Sequence, residues 1–496
     1  MKKIGIILLA ILFLLTGCKE KEVEKITHPT LIVNDYNGVN PENIDQYDIE
    51  LAFSPKDHII KGKQRVDYIN KENASLKEVY FHLYPNSFRK KETAPFLMND
   101  FDRAYPDGFE AGYINIEKVS IGNKPVAFTL EGEGQTIMKV VLPKSINSNE
   151  RISIDMQYTI KIPPAKERFG YSEDIFNLGN WYPIAAVYDE TGWNLDPYYP
   201  LGDPFYSDVS NYHVRIETPK DFIVAASGNI LKDTIVGDKR VWEIEAKLMR
   251  DFAFVTSNRF EVVEKDVEGT TLKMYFMKDV KQGIADKAIE SAENALKTFN
   301  RVYGKYPYGQ YSVVQTNFPS GMEYPGIVFI GKDYYNDYGD FLGIVIVHET
   351  GHQWWYGVVG NDEIDEAWLD ESLTTYSEVV YTREMFGEET GKEYYQYMNE
   401  EPYKSASSSI SNETILRPLN KFEGWDDYGI LVYNKGAMLL NTLYETYGKE
   451  KFYEIMKQYY QTYQFKNAKT EDFKRVCEEV VGENLDELFN KWLLGE

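Results

Sequence analysis

The chain contains little cysteine and little positive charge. Two cysteines, Cys18 and Cys477, occur in 496 residues, so no disulfide framework is available and the fold must rest on its apolar core. Lysine and arginine number 54 against 78 aspartates and glutamates, and the net charge of −24 disfavours binding to nucleic acid or to anionic lipid headgroups. Apolar residues make up 43% of the composition, which is enough for two or more domains with substantial cores.

The apolar run at the N-terminus, residues 4–15, is too short to span a bilayer comfortably. Two lysines precede it, and Leu-Thr-Gly-Cys at residues 15–18 ends it, a pattern that resembles the lipobox of bacterial lipoproteins. The resemblance implies a signal peptide over 1–17, a lipid-modified Cys18 that leaves no partner for a disulfide, and a solvated tether over 18–44. We therefore expect an extracytoplasmic protein that is lipid-anchored to the bacterial cell membrane. The alternative is an ordinary signal peptide with an incidental cysteine.

The first half of the mature chain predicts β-strands. Apolar and polar residues alternate in several runs, as expected for strands with one buried face: 152–160, 212–216 and 242–246. Turn signals separate such runs at Pro143-Lys144, Gly228-Asn229 and Val236-Gly237-Asp238. We interpret residues 45–258 as an all-β, antiparallel sandwich-like domain.

The character of the sequence changes near residue 260. Residues 286–303 carry apolar side chains at helical spacing, and nearly everything after Asp340 is compatible with helix. The runs 312–316 and 327–330 predict strands. We therefore predict an α+β domain over 259–496, which makes the chain a multidomain protein.

A His-Glu-x-x-His motif carries the chemistry of this second domain. His348 and His352 are four residues apart, so on a helix both imidazoles face one cation, and Glu371 follows nineteen positions later. A catalytic zinc ion has three such ligands and a fourth position for water, whose pKa it lowers to about 7. Glu349 is placed to take the proton from that water. The β-branched run 344–347 by itself favours a strand. We nevertheless predict a helix, because His348 and His352 must share one face to bind the same ion.

These residues resemble the aminopeptidase N family of zinc metallopeptidases, the gluzincin aminopeptidases. The family pattern is His-Glu-x-x-His, eighteen residues, then Glu, and two further family motifs occur in order as Gly-Met-Glu-Tyr-Pro at 321–325 and Tyr-Asn-Lys-Gly-Ala at 433–437. The similarity runs from about residue 45 to the C-terminus and implies a thermolysin-like catalytic domain with one Zn²⁺ per chain. The chain ends where the family's catalytic domain ends, so the resemblance implies a member without the large helical C-terminal domain, with a more open cleft.

The resemblance also implies roles for single residues. Glu323 would bind the α-ammonium of a substrate, and the backbone of Gly321 and Met322 would contact the peptide. Tyr433 would donate to the developing oxyanion, with Tyr428 as the fallback. Two further assignments complete the set: Asp370, which stands where the family usually has Asn, as a partner of a zinc-bound histidine, and Asp203 as a second residue of the amine pocket.

The predicted function is therefore a zinc aminopeptidase that removes N-terminal residues from peptides through a zinc-activated water, with Glu349 as general base. Two alternatives stay open. One is a zinc endopeptidase on the same scaffold, and the other is a non-catalytic, peptide-binding surface lipoprotein.

Overall fold

A computed structural model of the protein describes residues 29–336 and 341–495. The predicted signal peptide, Cys18 and the first part of the predicted tether lie outside these residues. Within the described residues, no helix combines the length and apolarity needed to cross a membrane.

The chain up to residue 257 is built mainly from strands, because its alternating runs bury one side chain in two. The elements are β1 (Gln46–Ser54), β2 (Ile59–Ile69), β3 (Leu76–His82), α1 (Met98–Ala104), β4 (Tyr113–Ile121), β5 (Lys124–Pro125), β6 (Phe128–Glu131), β7 (Ile137–Ile146), β8 (Arg151–Lys161), β9 (Phe169–Ser172), β10 (Ile175–Leu178), β11 (Ile184–Ala185), β12 (Tyr188–Asp189), β13 (Gly192–Trp193), β14 (Ser210–Pro219), β15 (Ile223–Ala226), β16 (Asn229–Val236), β17 (Lys239–Met249) and β18 (Phe254–Ser257).

These strands form one large sheet and several smaller ones. The large sheet has the order β16-β17-β14-β1-β2-β8-β4-β5, and its neighbours are antiparallel except for the parallel pair β1 and β14. Two four-stranded sheets, β15-β18-β10-β9 and β11-β3-β7-β6, and the hairpin β12-β13 accompany it. The alternating runs at 152–160, 212–216 and 242–246 lie in β8, β14 and β17, as predicted.

The turn predicted at Pro143-Lys144 is wrong, because both residues lie within β7. Proline is normally excluded from a central strand, since it cannot donate to the ladder. Here the pairing of β7 with β3 skips from Val141 to Ile146, and Pro143 falls in this irregular stretch where a bulge removes the need for its N–H. The actual turn lies further on, at Asn149, which has a left-handed backbone with φ of 62°.

Residues after 258 form a mixed sheet followed by helices. The elements are β19 (Phe260–Val267), β20 (Thr270–Met277), α2 (Gln282–Val302), β21 (Gln310–Thr316), β22 (Gly321–Met322), β23 (Ile327–Gly331), α3 (Phe341–Trp355), α4 (Trp368–Phe386), α5 (Glu388–Tyr395), α6 (Glu401–Ala406), α7 (Trp425–Tyr428), α8 (Gly436–Tyr463), α9 (Thr470–Val481) and α10 (Asp486–Phe489), with π-helical segments at Gln396–Glu400, Gly429–Lys435 and Asn490–Leu494. The sheet order is β19-β20-β21-β23-β22, with β20, β21 and β23 parallel.

This arrangement confirms the predicted fold class, a β-rich N-terminal part followed by an α+β part. The run 344–347 is helical, as the motif spacing required. Most of α3 is buried, so packing decides its conformation over the strand preference of β-branched residues. Gly351 allows α3 to approach α4, because a Cβ at this position would lie 3.2 Å from the Thr374 side chain.

Arg250 joins the two parts of the molecule. It follows β17 and is 2% exposed, and its guanidinium donates to backbone carbonyls of the second part, including Tyr356 O at 2.9 Å and Lys466 O at 2.6 Å. It also donates to Asn467 Oδ1. An arginine has five N–H donors in a rigid planar fork and can donate to several carbonyls at once. The compact ammonium group of a lysine lacks this geometry.

We expect Arg250→Met to lower the stability by about 3 kcal/mol or more, because several buried acceptors lose their donor together. The midpoint of thermal unfolding measures the effect. Arg65→Met is the matched control, since Arg65 forms an exposed ion pair with Asp155 and its loss costs about 1 kcal/mol at most. Equal midpoints for the two variants would contradict this role for Arg250.

Candidate active site

Three side chains converge at the start of α4. The Nε2 atoms of His348 and His352, both on α3, lie 3.0 Å apart, and Oε2 of Glu371 lies 3.4 Å from each of them. A tetrahedral zinc ion with ligands at about 2.0–2.1 Å holds its ligand atoms roughly 3.3 Å apart. Oε2 of Glu371 is buried and accepts no hydrogen bond, so the residue has a free ligand atom. The triangle therefore fits a zinc ion.

The outward-facing nitrogen of each histidine meets a carboxylate. Nδ1 of His352 lies 2.5 Å from Oδ1 of Asp370, and Nδ1 of His348 lies 2.6 Å from Oε1 of Glu378. Such partners fix the imidazole orientation and leave Nε2 free for a metal. The sequence suggested Asp370 but missed Glu378, which lies seven residues after Glu371 and therefore on the same face of α4.

Glu349 lies between the histidines on the cavity side of α3. The residue is 5% exposed, and its Oε2 has no hydrogen-bond partner. Burial raises its pKa to about 7, with the two histidines acting in the opposite direction. Its Oε1 packs against Gly321, where a Cβ would lie only 1.8 Å away. The glycine of the 321–325 motif thus makes room for this carboxylate.

Gly321→Ala should displace Glu349 and lower kcat by at least about tenfold, because a general base must stay within hydrogen-bond reach of its proton. The zinc content should stay unchanged, since the three atoms nearest to the new methyl group all belong to Glu349, which is not a zinc ligand. Steady-state kinetics and metal analysis check both expectations. Gly283→Ala is the control, since its Cβ meets nothing within 4 Å. Wild-type kcat in Gly321→Ala would show that the Glu349 position is not constrained here.

Tyr433 lies in the π-helical segment Gly429–Lys435 and lines the cavity. Its hydroxyl donates to Oε1 of Glu371 at 2.5 Å. The same helix turn is tied to α4 by Ser372, whose hydroxyl donates to Val432 O at 2.6 Å and packs against Gly436. Tyr428, the fallback, is fully buried and its hydroxyl has no partner. Of the two, Tyr433 is the one that lines the cavity.

Glu323 and Asp203 come together across the two parts of the molecule. Glu323 directly follows β22, at the edge of the sheet, and carboxylate oxygens of Glu323, Asp203 and Glu371 lie within 4.8 Å of one another. Arg168 holds Asp203 through an ion pair of 3.0 Å, a contact that the sequence did not predict. Burial raises the pKa of Glu323 well above its ordinary value, and Asp203 adds to this. Two adjacent buried carboxylates favour a cationic ligand.

The cavity that contains these groups has a volume of about 630 Å³. Its walls come from both parts of the chain, with Phe96, Arg103 and Tyr198 from the first and Ile344 and Trp425 from the second. Gly321 lines it, whereas the side chain of Met322 is 1% exposed and belongs to the core. The contact of the Met322 backbone with a peptide stays a prediction.

Comparison with known proteins identifies the second part of the chain. Residues 287–492 match the model of the peptidase family M1 domain. This part of the chain, rather than the whole of it, is similar to a peptidase family M1 domain. This confirms the resemblance inferred from the motifs at 321–325, 348–352 and 433–437 and from Glu371, all of which lie inside the matched region. The N-terminal lipobox falls outside it.

Curated relatives share this region. The chain is 24% identical over 300 residues to aminopeptidase M1-B of Oryza sativa subsp. japonica, which covers 57% of this chain and 34% of that protein. It is 31% identical over 195 residues to leukotriene A-4 hydrolase of Xenopus laevis, covering 37% of this chain and 31% of that protein. The chain thus spans about a third of the length of these relatives.

Solved structures share the fold over most of the chain. An M1 zinc metallopeptidase of Deinococcus radiodurans superposes with a TM-score of 0.63 at 16% identity, over 91% of this chain and 93% of that one. A variant of that enzyme bound to a Tyr-Ser-Ala substrate gives a TM-score of 0.64 at 15% identity, over 91% and 94%. The likeness includes the β-rich first part, which the M1 domain match does not reach.

Proposed function

We propose that the protein is a zinc aminopeptidase that removes N-terminal residues from peptides. The observation that carries the proposal is the position of Glu323 and Asp203 beside the triangle of His348, His352 and Glu371. Two carboxylates at this place bind a free α-ammonium group and so set the first peptide bond, rather than an internal one, beside the metal. The relatives named aminopeptidase M1 support the same reading.

Substrate binding begins with the amine pocket. Glu323 and Asp203 pair with the α-ammonium, and Arg168 keeps the Asp203 carboxylate in place. Both carboxylates are buried, and Arg168 balances only one of their two negative charges, so a neutral N-terminus would leave the other charge uncompensated. The pocket therefore selects for a positive charge at the start of the peptide.

Zinc, when bound by His348, His352 and Glu371, supplies an activated water and polarises the scissile carbonyl. Glu349 accepts the proton of the attacking water and returns it to the leaving amine. Its pKa of about 7 suits both transfers near neutral pH. Tyr433 lies beside Glu371 and can turn its hydroxyl to the oxyanion as negative charge develops there.

The order in which products appear tests this proposal. We expect the purified full chain to convert a tetrapeptide with a free N-terminus into single amino acids released one at a time, followed by mass spectrometry. Removal of zinc with a chelator should stop the reaction, and added Zn²⁺ should restore it. Internal cleavage as the first event would make the protein an endopeptidase, and no cleavage at all would favour a peptide-binding lipoprotein.

We also propose that Cys18 carries the lipid that anchors the protein to the outer face of the cell membrane. Two acyl chains each contribute about 0.8 kcal/mol per buried methylene, enough for stable attachment. In a host that processes lipoproteins, the wild-type chain should pellet with membranes and Cys18→Ser should not. Membrane association of Cys18→Ser equal to that of the wild type would refute the anchor.

A further inference from the structure

A second group of acids lies behind the zinc ligands. Glu363 precedes α4, and its carboxylate comes together with those of Glu323 and Asp370, one oxygen of each lying within 4.8 Å of the other two. Asp370 uses Oδ1 for His352, so its other oxygen, Oδ2, remains available. All three carboxylates come from different parts of the chain: the end of β22, the loop after α3 and the first turn of α4.

The atoms of this group are buried and have no partners. Glu363 is 3% exposed and neither of its oxygens takes part in a hydrogen bond. Oε1 of Glu323 and Oδ2 of Asp370 are likewise buried and unpaired. In the part of the chain that the structure describes, no lysine or arginine forms an ion pair with any of the three. A fully buried carboxylate without a hydrogen bond or a counter-charge costs several kcal/mol, so four unpaired oxygens in one place indicate a missing ligand.

The charge balance of the whole site points in the same direction. The acids that connect to one another around the zinc ligands are Asp203, Glu323, Glu349, Glu363, Asp370 and Glu371. Zinc, Arg168 and the ammonium group of a substrate together supply at most four positive charges against these six carboxylates and a seventh, that of Glu378 beside His348. The histidines bind zinc as neutral imidazoles and add nothing. At least three of these carboxylates are left to be neutralised by a proton or by a further cation, and Glu363 is the one among them with no hydrogen-bond partner at either oxygen.

We propose that Glu323, Glu363 and Asp370 bind a second, hard divalent cation of the Ca²⁺ or Mg²⁺ class. The three side chains offer carboxylate oxygens, which suit Ca²⁺ and Mg²⁺ better than they suit the softer zinc and copper ions. The spacing fits as well, because oxygens around such an ion lie roughly 3 to 5 Å apart. The cation would neutralise the carboxylates behind the zinc ligands. It would also fix the position of Glu323, which faces the amine pocket, and that of Asp370, which pairs with His352. The site is independent of whether the protein cleaves at the N-terminus or within the peptide.

The direct test counts cations on the full chain saturated with zinc. After exposure to 1 mM Ca²⁺ or, separately, 1 mM Mg²⁺ and rapid desalting, elemental analysis should find about one zinc and about one further ion per wild-type chain. Glu363→Gln should keep the zinc and lose the further ion. The comparison of the Ca²⁺ and Mg²⁺ arms identifies which ion the site takes.

Thermal unfolding gives a second readout that does not depend on activity. The midpoint of the wild type should rise with the concentration of the preferred ion, as mass action requires, whereas that of Glu363→Gln should not. Without the ion, Glu363→Gln should be at least as stable as the wild type, because glutamine has the same shape and removes an uncompensated buried charge.

Asp362→Asn is the matched control, since it removes one charge from the neighbouring residue, whose carboxylate accepts from backbone N–H groups of the same loop. It should bind the second ion like the wild type. The proposal is overturned if the wild type binds neither ion beyond zinc, if Glu363→Gln binds it equally well, or if Asp362→Asn loses it.

Discussion

Glu349→Gln should abolish turnover while the protein keeps its zinc. Glutamine has nearly the same size and still fits against Gly321, but it cannot take a proton from the attacking water. A positioned general base contributes about 10² to 10⁴-fold, so kcat should fall by at least the lower of these factors. Since Glu349 is not one of the three residues whose ligand atoms form the zinc triangle, the metal content should remain at one per chain.

Kinetics with a free peptide and metal analysis of the same preparation measure this effect. Glu393→Gln provides the matched control, because Glu393 lies exposed on α5 and its change should leave both quantities as in the wild type. If Glu349→Gln retained more than about a hundredth of the wild-type kcat, another group would have to be the base.

The second large effect concerns the amine pocket. Glu323→Gln should lower kcat/KM for a peptide with a free N-terminus by about 30-fold to several thousand-fold, since a buried charge pair contributes roughly 2 to 5 kcal/mol. Asp203→Asn should act in the same direction. The N-acetylated form of the peptide lacks the ammonium group, and its slow cleavage should change little in either variant.

The ratio of kcat/KM for the two peptides is the quantity to compare. Asp100→Asn is the control, because Asp100 is another acid in the cavity wall, where it pairs with Arg103 at 3.2 Å. It should change both peptides alike and preserve the ratio. A ratio that Glu323→Gln and Asp203→Asn also preserve would remove both residues from the amine pocket.

The zinc triangle could be predicted from the sequence because its three residues lie close together along the chain. The spacing of His348 and His352 specifies one helix face, and Glu371 follows at a distance typical of the family. The same holds for the strands, whose alternation is visible over five to nine residues. The error at Pro143 arose because a bulge, which depends on the partner strand, removed the usual penalty for proline.

The surroundings of the triangle could not be predicted in the same way. Asp203 and Glu323 are 120 positions apart, and only tertiary packing brings them together; Arg168 is equally remote from the motifs. The sequence around Glu363 predicts an exposed acid in a polar loop. In the structure the residue is buried, against the ordinary preference of glutamate for solvent. Glu378 was within reach of helix periodicity but carried no motif of its own. The π-helical turn that positions Tyr433 has no clear sequence signal either.

The most direct test of the central claim is the cleavage of one short peptide with a free N-terminus compared with its N-acetylated form by the wild-type protein. The account predicts that kcat/KM is at least about 30-fold higher for the free peptide, since loss of the ammonium group leaves the buried carboxylate of Glu323 without a counter-charge, while Arg168 pairs with Asp203 alone. Equal rates for the two peptides would contradict it.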